Sequence, residues 1–67
     1  MLLNMSGENR SEIKIGATVD IELKADQRSG KLTRGTVMRI LTNSSTHPHG
    51  IKVMLDDGQV GRVKAIF

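Results

Sequence analysis

Two stretches of this chain place a hydrophobic side chain at every second position, and no stretch repeats them with a helical period. Over residues 18–24, Val19, Ile21 and Leu23 alternate with Thr18, Asp20, Glu22 and Lys24. Over residues 51–56, Ile51, Val53 and Leu55 alternate with Lys52, Met54 and Asp56. A period of two puts each apolar set on one face of a pleated strand, so both stretches read as half-buried strands. The second runs straight into Asp57-Gly58, a dipeptide suited to the backbone of a tight hairpin.

Two further strands are expected, each with a slip in its alternation. In residues 32–41, Val37 and Ile40 cannot face the same side of a regular strand: either the strand is buried on both faces toward its end or, the favoured reading, a bulge or strong bend lies near 35–38. In residues 59–66, Val60 and Val63 are likewise out of phase. A type I turn followed by a Gly58 bulge would pair Val53 with Gly61 and Ile51 with Val63; a two-residue turn would need a bulge at Gly61 instead. Either way Val63 enters the core and Arg62 stays outside. Polar, glycine-containing loops separate these strands at 25–31 and 42–50.

Sixty-seven residues make one domain, and a chain of that size buries only about 60% of the surface its unfolded form exposes. Four to five short strands with glycine corners, and too little core for a sandwich, predict an all-β fold: a small SH3-like antiparallel β-barrel. A five-stranded OB barrel ranks second because it needs more chain. Residues 1–10 are expected to be a flexible N-terminus and 11–67 the barrel domain. A cofactor cavity of about 300 Å³ would consume most of such a core, so no cofactor is expected.

Charge is unevenly spread. Between Lys24 and Lys52, six cations (with Arg28, Lys31, Arg34 and Arg39) face the single acid Asp26, which leaves five positive charges. The preceding segment is net acidic, and the following one, with Arg62 and Lys64 against Asp56 and Asp57, is neutral. A basic middle of this kind offers a site for a polyanion. The chain has no cysteine, which excludes disulfides and thiolate chemistry and suits a reducing, cytoplasmic setting. No apolar run approaches the roughly 18 residues of a membrane span, and Met1-Leu2-Leu3-Asn4-Met5 is too short for a signal-peptide core. Phe67 is the single aromatic residue. Aromatic cages, proline-peptide grooves and base-stacking platforms are therefore unavailable.

Two resemblances bear on these residues. Lys14-Ile15-Gly16-Ala17-Thr18-Val19-Asp20-Ile21, followed by Gly30, Gly35 and Val37, loosely resembles the KOW-type barrels of ribosomal and transcription proteins. A closer likeness rests on three strings: Asp26-Gln27-Arg28-Ser29-Gly30-Lys31-Leu32-Thr33-Arg34-Gly35; Leu41-Thr42-Asn43-Ser44 with His47-Pro48-His49-Gly50-Ile51-Lys52-Val53; and Asp57-Gly58-Gln59-Val60-Gly61-Arg62-Val63. Across residues 9–66 the chain is similar to the small YwbE-like proteins, an uncharacterised bacterial and archaeal family. That likeness implies an SH3-like barrel and a stand-alone soluble protein, and it brings no activity with it.

The first candidate site is the loop 26–35. Arg28, Lys31 and Arg34 offer charge and forked donors, Gly30 lets backbone approach a phosphate, and Gln27 and Ser29 can bond sugar or base edges. The bland alternative is a solvated loop whose Asp26 pairs with a neighbouring arginine. The second candidate is 43–50. There Asn43, His47 and His49 are polar contacts to phosphate or RNA, while the alternative is a turn locked by Pro48 and capped by Asn43 or Ser44. Two histidines do not complete a metal site, and no metal is expected. Met38 and Met54 read as barrel-wall packing. No paired acids and no nucleophile with an orienting group can be assembled, so an enzyme is not expected. The expected function is binding of RNA or a ribonucleoprotein through a basic face. Arg28, Lys31, Arg34, Arg39 and Lys52 would neutralise phosphates, and Gln27, Asn43, His47 and His49 would add polar contacts. The alternative is a protein-interaction module.

Overall fold

A computed structural model describes residues 6–67. Four strands, β1 (Thr18–Leu23), β2 (Thr33–Ile40), β3 (Lys52–Leu55) and β4 (Val60–Ile66), form a closed antiparallel barrel in the order β1-β2-β3-β4, with β4 returning to pair with β1. The helical elements described are two single 3-10 turns, Arg10–Glu12 and Lys24–Asp26. The all-β barrel expected from the alternation is therefore the fold, with four strands.

Inside it, Ile13, Val19, Ile21, Val37, Ile51, Val53, Leu55 and Val63 are buried, with Ala17, Leu23, Ile40 and Ile66 packed against them. The core is wholly aliphatic, and each fully buried side chain contributes about 1.5–3 kcal/mol relative to exposure. Val19 and Ile21 come from β1, Val53 and Leu55 from β3, as period-two strands require.

Both slips are resolved by the structure. In β2, Val37 pairs with Leu55 and Arg39 with Met54, so Met38 is the extra residue of a bulge, and Val37 and Ile40 both reach the core side. The same bulge throws Met38 outward, where it is 43% exposed. Met38 is thus not wall packing, whereas Met54 is half-buried. At the hairpin, Val53 pairs with Gly61 and the Val63 N–H donates to the Ile51 carbonyl at 2.9 Å. This is the register of the type I turn with a Gly58 bulge, and Gly58 has φ +89°. The register sets Gly61 inward beside Val53, where a Cβ would lie 2.5 Å from the Glu22 carbonyl oxygen, so the position suits glycine. Val60 consequently turns outward. A second irregularity, between Asp20 and Ile21 of β1, leaves Lys64 unmatched on β4, so Val63 and Ile66 both pack inward.

The expected flexible terminus falls partly on residues 1–5, outside the described residues. From Gly7 onward the chain is hydrogen-bonded to the segment 45–51. The Ile51 N–H donates to the Gly7 carbonyl at 2.8 Å, the His47 N–H to the Glu8 carbonyl at 3.0 Å, and the Arg10 N–H to the Ser45 carbonyl at 2.8 Å. These bonds satisfy backbone groups of residues 45–51 that no strand pairs.

Candidate nucleic-acid interface

The outer face of β4 carries Arg62 and Lys64. Strand pairing sets Arg62 between Glu22 of β1 and Lys52 of β3. Two loops rise beside this face. One is the 3-10 turn Lys24–Asp26, whose C-cap residue is Gln27. The other is the turn 47–50, closed by a Gly50 N–H bond to the His47 carbonyl at 3.0 Å. Between them lies an open cleft of about 340 Å³ lined by Glu22, Gln27, His47, His49, Arg62 and Lys64. An adjoining one of about 410 Å³ is lined by Glu22, Lys24, Gln27, Lys52, Val60, Gly61 and Arg62. Sharing Glu22, Gln27 and Arg62, the two form one groove, with four permanent cations, two imidazoles and one carboxylate.

The histidine end is well ordered by hydrogen bonds. Lys64 Nζ donates to the His49 carbonyl at 2.8 Å, and an Arg62 terminal nitrogen to the Gly50 carbonyl at 3.3 Å. The His49 N–H donates to His47 Nδ1 at 3.1 Å. A neutral His47 with an acceptor Nδ1 carries its proton on Nε2, leaving that nitrogen a donor. The two imidazole centroids are 5.8 Å apart at 48°. Partial burial, then the positive charges of Arg62, His49 and Lys64, hold the His47 imidazole below the usual histidine range.

The residues singled out from the sequence are distributed as follows. Gln27, His47, His49 and Lys52 line the groove. Arg28 and Lys31 are exposed on the loop beyond Gln27, where Ser29 Oγ donates to the Asp26 carbonyl and accepts from the Lys31 N–H. Asn43 is exposed, and the hydroxyl that braces its loop is that of Thr42, accepting the Lys52 N–H at 2.8 Å. Arg39 is exposed on β2 opposite Met54. Arg34 lies on the β1–β2 flank and is already engaged: its Nε donates to Asp20 Oδ1 at 2.9 Å, and its guanidinium carbon sits 4.1 Å from the centre of the Phe67 ring. The aspartate that pairs with an arginine is thus Asp20 rather than Asp26, and it is the one carboxylate in a salt bridge among the described residues.

Lys24, Arg62, Lys64 and Glu22 line the groove without having been singled out. The signal was present, since strands predicted at 51–56 and 59–66 and paired through Asp57-Gly58 set Lys52 against Arg62. Among the described residues no three histidine, cysteine or acidic side chains gather where they could hold a metal ion. No helix among them is long and apolar enough to cross a membrane.

Comparison with known proteins places these elements in one family. A family model described as "Uncharacterized conserved protein (DUF2196)" matches residues 6–66. The chain is 61% identical over 62 residues to "Uncharacterized protein YwbE" of Bacillus subtilis (strain 168), covering 92% of this chain and 95% of that protein. No solved structure matches it.

Proposed function

The chain belongs to the DUF2196 family of YwbE-like proteins, and we propose that its barrel binds RNA, without catalysis, through the groove along β4. The observation that supports this most is the convergence of Lys24, Lys52, Arg62 and Lys64 with His47, His49 and Gln27 around one open groove holding a single acid, Glu22. Cations set along a groove track a phosphate backbone, and an open groove admits a chain where a closed pocket would admit a small molecule. Arg28 and Lys31, exposed beside Gln27, extend the positive surface. The choice of RNA over DNA rests on the resemblance to KOW-type barrels alone, an analogy of fold. A cytoplasmic setting agrees with a chain that has no cysteine.

The test is a titration of purified protein with a mixed pool of cellular RNA, and separately with duplex DNA, from low to physiological salt. Binding should weaken log-linearly with salt, with a slope of roughly −0.7 per phosphate neutralised on a single strand. It should be lost in the combined Lys52→Gln, Arg62→Gln, Lys64→Gln variant. Absence of binding at low salt would remove the reading.

A protein-docking module is the second reading, favoured by one specific arrangement. Ile15, Met38 and Phe67 are 62%, 43% and 57% exposed. Backbone bonds bring their segments together, the Gly16 N–H donating to the Val37 carbonyl and the Phe67 N–H to that of Thr18. Binding through this apolar end would be nearly indifferent to salt.

A further inference from the structure

Charge along the groove is not uniform. Arg62, Lys64, His47 and His49 crowd its histidine end against Glu22 alone. An internal phosphodiester carries one negative charge on two terminal oxygens, whereas two fixed cations, Arg62 and Lys64, and two imidazoles converge at this end. A phosphate monoester carries about 1.5 to 2 negative charges at neutral pH and presents three strong acceptor oxygens.

The donors at this end are anchored yet unspent. Arg62 commits one terminal nitrogen to the Gly50 carbonyl, and Lys64 commits one bond to the His49 carbonyl. A guanidinium has five N–H donors and an ammonium three, so both keep donors for a ligand. His47 is fixed twice, by its backbone N–H to the Glu8 carbonyl and by its Nδ1 accepting from His49. Its Nε2–H is thus a directed donor rather than a freely rotating one. Gln27, on the opposite wall, adds an amide suited to a sugar or base edge.

We propose that this end of the groove seats the terminal phosphate monoester of an RNA strand, with Arg62 and Lys64 supplying charge and His47 an oriented N–H. The inference rests on the RNA-binding reading and adds to it the part of the strand recognised. The surroundings of His47 agree. Arg62 and Lys64, which disfavour a proton on its ring, attract a dianion in the same space.

The experiment compares one single-stranded oligoribonucleotide in three forms, 5′-phosphorylated, 3′-phosphorylated and hydroxyl at both ends, by fluorescence anisotropy at physiological salt and pH 7.5. One phosphorylated form should bind on the order of tenfold more tightly than the hydroxyl form, the value of one charge-assisted hydrogen bond. That preference should fall to within twofold in His47→Gln and in Lys64→Gln. Should a variant fail to fold, the ring proton resonances of the two histidines in the unaltered protein provide the readout. They should shift with the preferred phosphorylated form and not with the hydroxyl form. Equal, salt-sensitive binding of all three forms would overturn the end seat and leave the backbone reading standing. A preference that survives both substitutions would also overturn it, and no binding by any form would remove both readings.

Discussion

Gly50 shows how one residue couples the barrel to its groove. It has φ +99°, a conformation that L side chains rarely adopt, and a Cβ placed on it would collide with the carbonyl oxygen of Val63. Its own carbonyl accepts from Arg62. Gly50→Ala should therefore cost about 1–3 kcal/mol of stability, the usual range for a strained backbone position, as a lowered urea midpoint with an unchanged slope. His47 carries a different signature. Its ring is held below the usual histidine range, so at mildly acidic pH the unfolded chain binds a proton that the folded one resists. Stability then rises with pH through that window; it is complete above the unfolded pKa of about 6.5 and is lost as pH falls toward the depressed folded value. Denaturant midpoints from pH 8 to pH 5 should show this slope, and His47→Gln should flatten it.

At the scale of elements, strands were more legible in the sequence than the surface they make. The alternations at 18–24 and 51–56 and the Asp57-Gly58 turn predicted β1, β3 and the hairpin that joins β3 to β4, because period two and turn chemistry are local properties. The hairpin's register, open between two turn types, was decided by the pairing of Val53 with Gly61. The slips at Val37 and Val60 announced irregularities whose form only pairing could decide: a bulge at Met38 in one strand, an inward Gly61 in the other. The groove was half legible. Gln27, His47, His49 and Lys52 stood out as polar residues in basic or glycine-rich segments. Arg62 and Lys64 did not, because counting charge along the chain balances them against Asp56 and Asp57. Those acids sit at the hairpin tip, and the barrel sets Arg62 beside Lys52 instead. Arg34 shows the converse, since in the chain it belongs to the basic loop and in space it is committed to Asp20 and Phe67. Arg34→Ala should leave RNA affinity within about twofold while Arg62→Gln lowers it about tenfold or more, given that charged hydrogen bonds are worth roughly 1.5–3 kcal/mol. Glu22, the groove's one acid, opposes a polyanion, so Glu22→Gln should tighten binding in the same titration.

For the molecule as a whole, small size makes the core decisive. Leu55 is fully buried between β2 and β4, and its side chain would meet any Cβ added at Gly35. Leu55→Ala should cost about 2–5 kcal/mol, a large share of the total in so small a domain, and should leave a substantial unfolded fraction by circular dichroism at room temperature. The closure of β1 against β4 has a kinetic consequence as well. Partners such as Val19 and Ile66, or Gly7 and Ile51, stand far apart along the chain, so the entropy of closing long loops is lost before their contacts form. High contact order of this kind belongs to domains that fold in milliseconds to seconds rather than microseconds. The Asp57-Gly58 hairpin, whose partners are near neighbours, is positioned to form first and the β1–β4 seam last. Substitutions in the hairpin should then slow refolding, whereas substitutions along the seam should mainly hasten unfolding.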